Sequence, residues 1–115
     1  MEKLIYELRI NTEAKSYDSV SSIVKLQPEN YKYGWIYEIV FEEQEKHYDI
    51  IAKFLDSLDG KYKKLQKLGI ENSDISIWII YGYNSQCNME FNPNTLARLG
   101  KRGITLCISC YENGE

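Results

Sequence analysis

The stretch EKHYDIIAKFLDSLDGKYKKLQKLGIENSDISIWIIYGY, residues 45–83, decides the fold. Tyr48, Ile51, Leu55, Leu58, Tyr62 and Leu65 recur at steps of three and four, the period of one helix face. Gly69 ends that pattern, and Ile75-Ser-Ile-Trp-Ile-Ile-Tyr81 reads as a β-branched and aromatic strand. A long amphipathic helix feeding an apolar strand implies a compact α+β domain. The predicted core includes Leu55, Leu58, Leu65 and Ile77. Charge order supports the helix: Glu42, Glu43, Glu45 and Asp49 lie near its start, and Lys61, Lys63, Lys64 and Lys67 near its end. Each well-placed exposed charge contributes roughly 0.3–1 kcal/mol against the helix dipole. Gly60 is the weak point, costing about 1 kcal/mol relative to alanine and marking a bend or break.

Upstream, Leu4, Tyr6, Leu8 and Ile10 alternate with Lys3, Glu7 and Arg9, as in a strand with one buried face. Asp18 can cap a short helix carrying Val20, Ile23 and Val24, with Pro28 at its exit. Residues 34–42 form a second strand with Trp35, Tyr37, Ile39 and Phe41 on one face. Downstream, Asn84 and Ser85 suggest a hairpin from Ile75–Tyr83 into a strand over Gln86–Phe91. Asn92-Pro93 starts a short helix that Gly100 ends, and Ile104–Tyr111 is the last strand. The expectation is a single α+β domain over residues 1–115. Its mainly antiparallel or mixed sheet has five strands, with one long and two short helices packed on it.

The order and spacing of several short segments resemble the bacterial domain-of-unknown-function 4279 family over nearly the whole chain. They are Leu26-Gln-Pro28, Gly34-Trp35, Phe54-Leu-Asp-Ser-Leu58, Leu65-Gln-Lys-Leu-Gly69 and Phe91-Asn-Pro-Asn-Thr-Leu-Ala-Arg-Leu-Gly100. The resemblance implies a small α+β domain and supplies no catalytic residues.

Composition narrows function by exclusion. The chain is 43% hydrophobic and 27% charged, with a formal net charge of −3, which gives no general attraction to nucleic acid or anionic membrane. Three of the four lysines late in the long helix can form a stripe, but a solvated polar face explains them equally well. No apolar run reaches membrane-spanning length, and the N-terminal residues alternate like a strand rather than a signal peptide. Three cysteines, an odd number, argue against a disulfide scaffold and for the cytoplasm. Cys107-Ile-Ser-Cys110 has CxxC spacing, but on a strand residues three apart point to opposite faces. With His47 the sole histidine, neither a metal nor a cofactor is expected, and Cys87 reads as a hairpin side chain.

The strongest candidate surface is aromatic. Tyr31, Tyr33, Trp35 and Tyr37 alternate across a loop-to-strand boundary, where rings anchored at one end can meet a partner at the other. Tyr81 and Tyr83 extend it if their strand is a neighbour. The preferred reading is a non-enzymatic module binding a protein partner or a second copy of itself, an immunity-type role being one concrete form. The alternative is a small-ligand binder or enzyme whose site assembles from sheet carboxylates and aromatics. Glu38 and Glu90 are its candidate carboxylates, with Trp35 and Tyr37 beside Glu38.

Overall fold

The computed structural model describes residues 3–42, 49–85 and 87–113. Four strands, β1 (Lys3–Ile10), β2 (Trp35–Glu42), β3 (Ile75–Tyr83) and β4 (Thr105–Glu112), form one mixed sheet in the order β2-β1-β3-β4. β1 runs antiparallel to both neighbours, whereas β3 and β4 are parallel. Four helices accompany them: α1 (Tyr17–Val24), α2 (Ile50–Leu58), α3 (Tyr62–Lys67) and α4 (Pro93–Arg102).

Period-two alternation assigns the faces. Leu8, Ile10, Trp35, Ile75, Ile77 and Ile79 point to one side and are buried against Val20, Phe54, Leu58, Leu65 and Leu99 from the helices. Leu55, Leu58, Leu65 and Ile77 are each at most 1% exposed, as the helix and strand periods require. α2 and α4 are tied by polar contacts as well. Asp49 caps α2 by accepting from the Ala52 N–H, and its other oxygen accepts from the Thr95 hydroxyl. Arg98 on α4 reaches Asp56 and Asp59 at 2.8 and 3.1 Å.

The structure corrects the expected five strands, one long helix and two short ones. The long helix is two helices, broken over Asp59-Gly60-Lys61, where Gly60 takes a φ of 76° that a side chain would disfavour. Its expected start, with Glu43, Glu45, His47 and Tyr48, lies outside the described residues, as does the Glu42 side chain. The fifth strand is missing among the described residues: 87–92 form no ladder, although Met89 and Phe91 pack against the core. The reason is topological. Both edges of β3 are taken, one by β1 and the other by β4, so a hairpin partner following β3 has no edge to join.

Two helix ends also move. Asp18 lies inside the first turn of α1, whose N-cap position is Ser16. α4 passes Gly100 and stops at Gly103, in the left-handed conformation, with Lys101 and Arg102 in its last turn.

Candidate functional site

The second face of the sheet carries no described helix, yet it holds a buried charge. Glu7 points to this open side from the central strand and is only 7% exposed. Its two cross-strand neighbours are Glu38 on β2 and Trp78 on β3. Arg9, two residues along and therefore on the same face, donates from Nε to Glu7 Oε1 at 2.7 Å and places Nη2 2.6 Å from that oxygen. The guanidinium carbon lies 3.9 Å from the centre of the Trp78 ring, a cation–π contact. Trp78 is held in turn by its indole N–H, which donates to Ser76 Oγ at 3.0 Å. Arg9 is thus fixed by a carboxylate and an aromatic face together. Its Nη1 donors have no partner among the described residues.

Glu38 completes the cluster. Partial burial raises its carboxyl above the ordinary range, and the hydrogen bond and negative charge of Glu7 add to that effect. Two carboxyls directly opposite on adjacent strands repel when both are ionised, and Arg9 pairs with Glu7.

Arg9 and Trp78 also form one wall of a cleft of about 560 Å³ at the end of the sheet where β1 finishes and β2 and β3 begin. Asn11, Thr12 and Asp74 contribute polar groups to it, and Tyr31, Lys32 and Tyr33 bring a second cation and two rings. Tyr31 is anchored: its hydroxyl lies 3.1 Å from Ser21 Oγ, accepts from Gln27 and donates to Asp18, and its ring packs on Tyr17 at 4.8 Å. Tyr33 is 80% exposed at the rim, with Lys32 Nζ 5.3 Å from its ring centre. Gly34, at φ 120°, turns the chain from this rim into β2.

Residues 9–113 match the family model described as Domain of unknown function (DUF4279). The chain belongs to the DUF4279 family. Comparisons with curated proteins and with solved structures find no match. The DUF4279 region contains Arg9, Glu38, Trp78 and the whole cleft lining, while Glu7 stands two residues before it.

Within this DUF4279 domain the four aromatic residues singled out from the sequence separate. Trp35 is 1% exposed and donates its indole N–H to Ser21 Oγ at 2.9 Å. Tyr37 packs edge-on to Phe54, at 6.3 Å between ring centres. Tyr31 and Tyr33 remain together at the cleft, which Trp35 also lines from its buried position. Tyr81 and Tyr83 do not extend that surface, because β1 lies between β2 and β3. Glu90 is exposed in irregular chain and does not meet Glu38, whose carboxyl partner is Glu7. His47 lies outside the described residues.

Cys107 and Cys110 take opposite faces of β4, as their spacing requires. Among the described residues no three His, Cys, Asp or Glu converge as a metal site, and no helix is long and apolar enough to cross a membrane. Lys61 is used internally, donating to the Ile23 carbonyl, and Lys63, Lys64 and Lys67 are exposed. The pairing of Glu7 with Arg9 and Trp78 is the feature that sequence reading missed. Its signal was an acidic and a basic residue on the polar side of β1, which looked like a solvated face.

Proposed function

We propose that this DUF4279 protein binds a small carboxylate-bearing molecule in the cleft between Arg9, Lys32 and the tyrosine rim. The observation that carries this reading is the fixing of Arg9 between buried Glu7 and Trp78, with donors to spare at the cleft wall. An arginine held in this way has already lost its rotamer freedom, so a bidentate contact to a ligand carboxylate costs little further ordering. Lys32 supplies a second cation, Asp74 an acceptor for ligand donors, and Tyr31 and Tyr33 supply apolar contact area. Glu7 positions Arg9, and Glu38 sets the charge beside it. No reaction is assigned, because the Glu7 carboxylate is committed to Arg9.

A thermal-shift panel of small aliphatic and aromatic carboxylates, each beside its uncharged amide, tests the reading. Stabilisation by carboxylates alone, lost in Arg9→Gln, is the expected result. Equal response to acids and amides would contradict it.

A second reading, a protein partner or self-association including an immunity-type role, is supported by the 80% exposure of Tyr33 and by exposed Val40 on the open sheet face. Its anchor would be the Tyr33 ring. Tyr33→Ala should then weaken association by ~2 kcal/mol or more while leaving the fold intact. Unchanged sedimentation and unchanged affinity for a captured partner would count against it.

A further inference from the structure

Cys87 and Cys110 are 23 residues apart in sequence, yet their sulfurs stand 2.8 Å from each other. That separation is closer to a covalent S–S bond, about 2.05 Å, than any hydrogen bond with a thiol donor needs. Cys87 belongs to the irregular segment between β3 and α4, and Cys110 to β4, the strand at one edge of the sheet. Both thiols are reachable from solvent: Cys110 is exposed and Cys87 half-buried. Cys107 takes no part. It lies on the opposite face of β4, opposite Trp78 in the β3–β4 register.

We propose that Cys87 and Cys110 are an oxidisable dithiol, converted to an intramolecular disulfide by a small disulfide such as glutathione disulfide. Cys110, the more exposed of the two, is the first nucleophile. Its thiolate attacks one sulfur of the small disulfide, forming a mixed disulfide and expelling one small thiolate. The Cys87 thiolate then attacks the Cys110 sulfur of that mixed disulfide, forming the internal bond and expelling the second thiolate. The protein loses two electrons and two protons, and the small disulfide gains both as two thiols. The bond ties the 87–92 segment, which makes no ladder of its own, to the sheet edge. Closing a loop of this length restricts the unfolded chain, so the oxidised form is the more stable.

The test uses the whole reduced protein incubated with glutathione disulfide, then alkylated and mapped by mass spectrometry without reduction. The expected product has lost two hydrogens, joins the Cys87 and Cys110 peptides, leaves Cys107 alkylated, and melts roughly 10 °C higher than the reduced protein. Cys107→Ser should behave identically. Cys87→Ser should stop at the mixed disulfide on Cys110, with its fold checked by circular dichroism. Separate glutathione adducts on both cysteines, a bond involving Cys107, or no internal bond in any glutathione ratio would overturn the proposal.

Discussion

The Arg9 guanidinium stands over the Trp78 ring, 3.9 Å from its centre, on a sheet face that carries no described helix. This contact joins a charge on the central strand to an aromatic group on its neighbour, and Glu7 holds the charge from below with 2.6 and 2.7 Å contacts. Removing Arg9 leaves a mostly buried carboxylate without its partner. Arg9→Ala should therefore destabilise the fold by ~1–3 kcal/mol, less than a fully buried pair because Arg9 is partly exposed. Glu7→Gln with Arg9→Ala should recover part of that loss. A double-mutant cycle by urea unfolding measures the coupling, and additive effects would show that the pair is not coupled.

Glu38 gives a pH prediction with a definite sign. Its carboxyl is raised in the folded protein by burial and by Glu7, so the folded state holds the proton more tightly than the unfolded chain. Stability then falls as pH rises from the unfolded value through the folded one, and this contribution vanishes below both. Glu38→Gln should stabilise the protein at neutral pH by ~0.2–1 kcal/mol, the scale of a cross-strand pair. The gain should disappear in acid below the ordinary carboxylate range. A gain independent of pH would show that Glu7 and Glu38 do not repel.

Two aromatic groups meet at Ser21 Oγ: the Trp35 indole N–H donates to it at 2.9 Å, and the Tyr31 hydroxyl lies 3.1 Å away. Ser21→Ala leaves the buried indole without an acceptor and should cost ~1–3 kcal/mol. It should also loosen Tyr31 at the cleft. Retained stability in thermal unfolding would mean that another group takes over the indole N–H.

Leu58 is fully buried between the sheet and the neighbouring helices. Leu58→Ala should cost ~2–5 kcal/mol, which chemical unfolding reads directly. A change under ~1 kcal/mol would mean that the site collapses without leaving a cavity.

The sequence made faces legible better than neighbours. Period-two alternation placed Leu8 and Ile77 on buried faces, whereas Trp35, read as part of a partner surface, is 1% exposed, and the break at Gly60 fell where the weak helix former stood. The Asn92-Pro93 cap was also readable, because capping is a local interaction and the Asn92 side chain accepts from the Asn94 N–H at 2.8 Å. Strand order is not local. Nothing near Cys87 announced that β3 would already be flanked on both sides, so a hairpin looked reasonable. The site was hidden for the same reason. Glu7, Glu38 and Trp78 become neighbours only through the β1–β2 and β1–β3 registers, and their separations in sequence carry no sign of it. Tyr31, Tyr33 and Trp35 of the cleft lining were visible beforehand, as was Glu38 as a candidate carboxylate, but not their partners Glu7, Arg9 and Trp78.

The central claim is that Arg9, fixed on Trp78, receives a carboxylate. Two-dimensional ¹H–¹⁵N NMR titration with acetate, benzoate and amino acids tests it most directly, because the two indole N–H signals report on different places. Both residues line the cleft, but the Trp78 ring carries Arg9 and its indole N–H donates to Ser76, whereas the Trp35 indole N–H is buried on Ser21. The predicted result is saturable movement of the Trp78 indole and Arg9 Nε–H signals with at least one carboxylate, a smaller movement of the Trp35 signal, and no response in Arg9→Gln. Flat titrations throughout, or an undiminished response in Arg9→Gln, would contradict the account.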